Sequence, residues 1–199
     1  EGVIFDEEPL HEEMPRSIDE ASVAVVDADL EIRDSNIDAE YSVSNVDDLN
    51  TAIEAEEEEL RAYAEDIDSV GADVVFVDGD VEDRVASYLA DRGILAFEGV
   101  GSDDAKAVAS ATGASRVGSV SALESADLGG ADTIRVEKYE DDLVFVEGGQ
   151  AADAVTIFAR GGTDHVVDEL ERALRDALDV VTAALDEGGV VAGAGATEI

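Results

Sequence analysis

The feature that most constrains the fold is a regular alternation of short apolar runs and amphipathic segments between residues 74 and 117. Residues 74–77 and 94–97 are apolar runs of the length typical of a buried strand. Each run is followed by a segment with apolar side chains at helical spacing, and these segments end at Gly93 and Gly113. This alternation of strands and helices predicts a parallel α/β unit.

Particular residues are predicted to begin the elements of this unit. Asp80 and Ser102 precede the two amphipathic segments and carry side chains that can accept hydrogen bonds from a helix N-terminus. We therefore expect them to be the N-cap residues of the two helices. A third strand is predicted to begin at Arg116.

Shorter strands are predicted on both sides of the α/β unit. Residues 21–26 are apolar enough for a buried strand. Residues 133–138 and 142–146 are two short runs that predict a hairpin, and residues 154–159 predict one further strand.

Two longer segments predict helices of different character. Between residues 47 and 69 the apolar stripe is loose and narrow, so this helix is expected to be mostly exposed or to pack by one thin face. Between residues 163 and 187 the apolar residues recur in steps of three and four and form one continuous stripe. At 1.5 Å per residue the second helix would be about 37 Å long, which is long for a core helix and suits a connection between two bodies.

The charge of the chain excludes several function classes. The sequence has 12 basic and 51 acidic residues, a formal net charge of −39, and the acids are spread along its whole length. Such a surface repels itself in dilute buffer, whereas at molar salt the Debye length falls to about 3 Å. We interpret the chain as a halophilic cytoplasmic protein, because an acidic partner-binding module would usually concentrate its charge. Nucleic acid is excluded as a partner by the same repulsion, and neither a membrane span nor a signal peptide is predicted.

The residues alone assign no catalytic or metal site. There is no cysteine and no P-loop, and the two histidines, His11 and His165, lie at no metal-ligand spacing. With 51 acidic positions, a single carboxylate says little about chemistry. No set of catalytic residues supports the hypothesis of a small acidic α/β enzyme. The residues alone therefore indicate only a halophilic α/β domain followed by a long helix.

A series of short motifs carries more information than any single residue. In chain order they include VIFD, MPR, GADVV, ATGA, VTIFARGG and DELERALRDAL, at residues 3–6, 14–16, 71–75, 111–114, 155–162 and 168–178. In type and order the series resembles the substrate-binding part of group II chaperonins, the archaeal thermosomes and their eukaryotic cytosolic relatives. The resemblance covers essentially the whole chain.

The resemblance implies a division into domains. Residues 1–153 are similar to the apical (substrate-binding) domain, a swivelling β/α domain with a helical protrusion at about residues 40–70 that serves as a built-in lid. Residues 154–199 resemble part of the intermediate domain, including its long helix. The equatorial ATP-binding domain of such subunits is absent from the sequence.

The resemblance also implies nucleotide-linked residues. Asp176 matches the catalytic aspartate of the family, which orients the water that attacks the γ-phosphate. Gly193, Ala194 and Gly195 match a three-glycine segment beside the nucleotide, with alanine in place of the middle glycine. No metal ligand is expected in this chain.

Further residues are implied in client binding and in domain movement. Ile53 and Leu60 are the expected contacts of the protrusion with a client or a neighbouring lid. Gly161 and Gly162 follow the last apical-like strand and are the expected hinge.

The function that the resemblance implies is that of a molecular chaperone. The chain would be the client-binding, lid-bearing fragment of an ATP-dependent chaperonin, with ATP and Mg²⁺ in the full-length subunit and none bound to this chain, which alone is expected to be inactive as an ATPase. Unfolded proteins and sister subunits of a double ring are the expected partners. The alternative is a stand-alone apical-like holdase that binds unfolded proteins without ATP.

Overall fold

The computed structural model describes residues 2–32, 46–149 and 155–188. The chain divides into two compact units, Glu1–Thr156 and Ile157–Ile199. Each unit is considered by itself.

The described residues of the first unit form a mixed sheet with three helices. In chain order the elements are β1 (Gly2–Asp6), β2 (Ser17–Val26), α1 (Val46–Ser69), β3 (Val74–Val77), α2 (Asp83–Asp91), β4 (Leu95–Phe97), α3 (Ser102–Thr112), β5 (Arg116–Val117), β6 (Gly129–Lys138) and β7 (Asp142–Glu147). Two short 3-10 helices, Val120–Ala122 and Ser125–Asp127, lie between β5 and β6.

The ten-residue strand β2 joins two halves of the sheet, whose strand order is β1-β7-β6-β2-β3-β4. The first part of β2 pairs antiparallel with β6, from Ser17 opposite Arg135 to Val23 opposite Gly129. From Val23 onward β2 pairs in parallel with β3, and its last two residues pair in parallel with β5. The predicted parallel α/β unit and the predicted hairpin, β6–β7, are both confirmed.

The core lies on the buried strands of the parallel half. All four residues of β3 and all three of β4 are buried, as the apolar runs predicted. The ring of Phe76 stacks on that of Phe97 with centroids 5.1 Å apart, and Phe5 of β1 meets Phe76 edge-on at 5.7 Å. Because aromatic side chains bury large areas, these contacts tie the antiparallel half to the parallel half.

The prediction that Asp80 caps α2 is wrong. The helix begins at Asp83, and its N-cap residue is Glu82. Val81, which the prediction placed inside the helix, forms an isolated bridge with Leu30 and donates its N–H to a Glu98 carboxylate oxygen at 2.8 Å. These tertiary partners hold the chain extended, so the helix starts later.

Two other boundaries also differ from the predictions. The N-cap of α3 is Gly101 rather than Ser102, which is the first helical residue. Of the strand predicted at residues 154–159, the described part contains one bridge, between Val155 and Gly2. Thr156 donates its backbone N–H and its hydroxyl to the Gly2 carbonyl at 3.2 and 2.9 Å, which ends the pairing there.

The second unit contains one long helix among its described residues, α4 (Asp164–Glu187). Its N-cap is Thr163, and it ends at Gly188, whose φ of 70° is the left-handed conformation that favours glycine. At 1.5 Å per residue its length is about 36 Å, in agreement with the predicted long helix. In the described ranges, no helix is both long and apolar enough to cross a membrane.

Candidate functional site

The helix α1 is divided into a packed half and a free half. Leu60, Ala64 and Ile67 are fully buried and lie in steps of four and three along one face. Toward the N-terminus, the described side chains at residues 50 and 53–56 are exposed, and the term free half refers to these residues. The predicted thin packing face therefore exists, but it covers only the C-terminal half of the helix.

A polar clamp on α2 marks the point where α1 becomes packed. The Tyr88 hydroxyl donates to the Glu57 carboxylate at 3.2 Å, and the Arg61 guanidinium lies 5.4 Å from the centre of the Tyr88 ring. Four residues after Tyr88, Arg92, the C-cap residue of α2, forms an ion pair with Glu65 at 3.4 Å and donates to the Tyr88 carbonyl oxygen at 2.9 Å. These contacts lie beside the buried stripe, and Glu57 is the most N-terminal residue of α1 that takes part in them.

The two predicted client contacts do not have the same environment. Ile53 is 48% exposed on the free half, as a client contact requires. Leu60 is fully buried, so it cannot touch a client in this conformation and its assignment is corrected. The two residues are seven positions apart and lie on the same face of the helix. This face is covered at Leu60 and exposed at Ile53. Residues 40–45 of the predicted protrusion lie outside the described residues.

The second unit exposes an apolar surface along α4. No residue of this helix is buried, and the exposed fractions of Val167, Leu178, Val181 and Leu185 run from 37% to 77%. Ile157 and Phe158, which precede the helix, are also about half exposed, at 57% and 46%. A contiguous apolar surface of this kind is typical of a face that packs against protein.

Asp176 is placed on a regular part of α4. Its side chain is exposed and, two positions from Leu174 and Leu178, points away from them, because two residues turn a helix by about 200°. The nearby Arg172 and Arg175 pair with Glu169 and Glu171, at 3.0 and 2.5 Å. Within the described part of the chain Asp176 forms no ion pair.

The two predicted hinge glycines differ in their surroundings. A Cβ atom added to Gly161 would lie 2.8 Å from the Val167 Cγ2 atom and 3.1 Å from the Val167 backbone nitrogen. A Cβ atom added to Gly162 would meet open space. Gly161 is therefore required for close packing against the first turn of α4, whatever its role in movement. Gly193, Ala194 and Gly195 lie outside the described residues.

The arrangement of the acidic side chains adds one feature. Among the described residues, no group of three histidine, aspartate or glutamate side chains is arranged to hold a metal ion. Burial, followed by the nearby carboxylate of Asp6, raises the pKa of Glu7 above its usual range.

The sequence reasoning missed the clamp residues. The apolar pattern of α2 gives no sign of the hydrogen bond between the Tyr88 hydroxyl and Glu57. The available signal was the spacing of Tyr88 and Arg92, the C-cap residue of α2, because residues four apart lie on the same side of a helix.

Comparison with known proteins places the chain among chaperonins. The family model described as the TCP-1/cpn60 chaperonin family matches residues 1–199. The chain is 58% identical to thermosome subunit 3 of Haloferax volcanii over 100% of its own length and 38% of that protein. It is 42% identical to thermosome subunit alpha of Halobacterium salinarum, over 100% of its length and 35% of that protein.

A solved structure agrees with the sequence matches. The open-state monomer of a group II chaperonin from Methanococcoides burtonii superposes with a TM-score of 0.79 at 29% identity, covering 98% of this chain and 42% of that one. The mixed α/β fold is thus that of a group II chaperonin monomer over the matched part. The chain spans well under half the length of each of these relatives.

Proposed function

The chain belongs to the TCP-1/cpn60 chaperonin family, and from this membership we propose that it is the client-binding, lid-bearing part of an ATP-dependent group II chaperonin subunit. Residues 1–153 are assigned to the apical domain and residues 154–199 to part of the intermediate domain. The observation that carries the proposal is the free half of α1, which presents an exposed isoleucine, Ile53.

The free half of α1 has the properties of a client contact. The stretch of α1 from residue 46 to residue 56 is about 16 Å long at 1.5 Å per residue. Ile53 supplies apolar area that an unfolded protein can cover, and the surrounding glutamates keep the segment soluble until it does. At low ionic strength those glutamates repel an acidic client, so binding is expected to require salt.

Asp176 is proposed as the residue that links this part to ATP hydrolysis. Its exposed carboxylate on a long rigid helix fits a group that accepts the proton of an attacking water. The chemistry that ATP and Mg²⁺ supply when bound is a phosphoryl group open to attack by that water. Gly193, Ala194 and Gly195 are proposed to pass close to the nucleotide, and Gly161 and Gly162 to form the hinge.

The proposed setting follows from the relatives. In the complete subunit the partners are unfolded proteins and sister subunits of a double ring, and the location is the cytoplasm. The apolar face of α4 is proposed to pack against further protein in the complete subunit. The chain alone is proposed to have no ATPase activity.

An aggregation assay tests the client-binding role. A chemically denatured halophilic protein is diluted into multi-molar KCl with the chain present, with and without Mg-ATP. We expect the chain to suppress aggregation equally in both cases and Ile53→Glu to weaken the suppression several-fold. Ala55→Glu is the matched control, because it adds the same charge at another exposed position of the free half. Suppression that depends on ATP, or an equal loss in both variants, would contradict the proposal.

A variant at Asp176 distinguishes the proposed function from the alternative of a stand-alone holdase. In the complete subunit, Asp176→Asn is expected to lower ATP turnover by about 100-fold or more, within the range that general-base groups contribute. The same variant is expected to leave client binding unchanged. A holdase that works without ATP has no role for this carboxylate, so unchanged turnover would favour the alternative.

A further inference from the structure

The first unit ends at a threonine that is attached to the sheet by two hydrogen bonds. The boundary between the two units falls between Thr156 and Ile157. Just before it, Val155 forms a parallel bridge with Gly2 of β1. Thr156 donates twice to the Gly2 carbonyl oxygen, from its backbone N–H at 3.2 Å and from its hydroxyl at 2.9 Å. A carbonyl oxygen has two lone pairs, so this one acceptor satisfies both donors.

The strand that supplies this carbonyl has a closely defined position in the sheet. Gly2 lies opposite Glu147 in the antiparallel pairing of β1 with β7. Its φ is 147°, and a Cβ atom added to it would lie only 2.1 Å from the Val146 carbonyl oxygen. Only glycine therefore allows β1 to approach β7 this closely. The acceptor of the two Thr156 hydrogen bonds thus belongs to the body of the sheet and not to a loose end.

The second unit begins with a close contact of its own. A Cβ atom added to Gly161 would lie 2.8 Å from the Val167 Cγ2 atom. The Thr163 carbonyl oxygen accepts the backbone N–H groups of Val166 and Val167 at 3.0 and 3.1 Å, which fixes the first turn of α4. Residues 157–160 lie between this contact and Thr156, and they belong to no helix or strand. The chain therefore changes from one compact unit to the other within a few residues of irregular backbone.

We propose that Thr156 anchors the start of the hinge, where the Thr156 anchor means its two hydrogen bonds to the Gly2 carbonyl oxygen. The hydroxyl reinforces the backbone hydrogen bond, so that movement between the units is confined to the residues after Thr156. Without the hydroxyl, the bridge at Val155 opens more often and the moving segment extends back into the first unit. A pivot with a fixed start transmits rotation of one unit to the other, whereas a pivot that spreads along the chain absorbs part of it. This inference rests on the proposed function, which places the hinge at Gly161 and Gly162.

Amide hydrogen exchange tests the anchor. The protection factor of the residue-156 amide is measured by NMR on the ¹⁵N-labelled chain in multi-molar KCl. Thr156→Val removes the hydroxyl and keeps the branched shape, so the protection factor is expected to fall roughly 2- to 10-fold, the range for one ordinary hydrogen bond. Thr156→Ser keeps the hydroxyl and is expected to keep the protection.

Thr163→Val is the matched control for this measurement. It makes the same substitution at the N-cap of α4, where the threonine hydroxyl forms no capping hydrogen bond. We expect it to leave the residue-156 amide unchanged. Unchanged protection in Thr156→Val, or an equal loss in Thr163→Val, would overturn the proposal.

Distances between two spin labels test whether the anchor confines the movement. The chain has no cysteine, so Asp91→Cys on α2 and Ala183→Cys on α4, both at exposed positions, supply the only attachment points. Double electron–electron resonance then gives the distribution of distances between the labels. Thr156→Val is expected to broaden this distribution and Thr156→Ser to leave it as it is.

A distribution that Thr156→Val does not broaden would overturn the anchor. The width found without any change at Thr156 then shows whether the hinge fails as well. A broad distribution there would leave the proposed hinge in place and remove only the anchor. A narrow distribution there would show that the two units do not move, which would contradict the hinge of the proposed function too.

Discussion

Replacing Leu60 by alanine tests whether α1 is held by its C-terminal half. Leu60 is fully buried, whereas Ile53, on the same face of the helix, is 48% exposed. Removing a buried leucine side chain beyond Cβ costs about 2–5 kcal/mol, which includes the cavity that is left. Ile53→Ala is the matched control and is expected to cost less than about 0.5 kcal/mol, as exposed substitutions usually do.

The assay is thermal unfolding followed by circular dichroism in multi-molar KCl. For a unit of this size, each 1 kcal/mol corresponds to about 2–4 °C in Tm, so Leu60→Ala is expected to lower Tm by roughly 5–15 °C. Ile53→Ala is expected to change it by less than about 2 °C. Equal, small shifts in the two variants would show that α1 is free along its whole length, and the division at Glu57 would be refuted.

Three further predictions concern the salt requirement, the glycines and Glu7. Because the chain carries a net charge of −39, transfer from molar KCl to about 0.1 M KCl is expected to lower Tm. Adding NaCl until the ionic strength equals that of the molar KCl is expected to restore Tm. A Tm that does not depend on salt would contradict the argument that salt screens the charge. Gly161→Ala is expected to destabilise the first turn of α4 by about 1–3 kcal/mol through its clash with Val167, and Gly162→Ala to have little effect, as measured by amide exchange at residues 164–168. The folded-state pKa of Glu7 lies above its ordinary value of 4.5, so the folded protein binds more protons and stability falls as pH rises through that folded pKa. In divalent-free buffer, Glu7→Gln is therefore expected to raise Tm at pH 7 and to lose this advantage below pH 4.5, and an advantage that persists there would contradict the assignment.

The parallel unit, the hairpin and α4 could be predicted because each is specified by a local pattern. The runs at Val74–Val77 and Leu95–Phe97 are apolar throughout, as expected for strands covered on both faces. The stripe of α4 continues over 24 residues, which no strand would produce. Local periodicity was sufficient for these elements because the pattern runs through each of them without interruption.

The errors arose where a distant segment decides the local structure. Val81 is held extended by its bridge with Leu30, about fifty residues earlier, so no helix begins directly after Asp80. Leu60 and Ile53 have equivalent positions in the stripe of α1, and only their burial in the folded chain distinguishes them. The sequence pattern defines a helix face but not how far its covering surface extends.

The candidate site was even less accessible to pattern reasoning. Among 51 acidic residues, nothing in the local pattern distinguishes Asp176, and only the resemblance to chaperonins singled it out.

Site-specific photo-crosslinking tests the central claim most directly. A photoreactive amino acid is placed at position 53, on the free half of α1, or at position 66, an exposed position on the packed half. After illumination with a denatured client in multi-molar KCl, crosslinks are expected from position 53 and to be several-fold fewer from position 66. Equal yields at both positions would contradict the claim that the free half of α1 is the surface that meets clients.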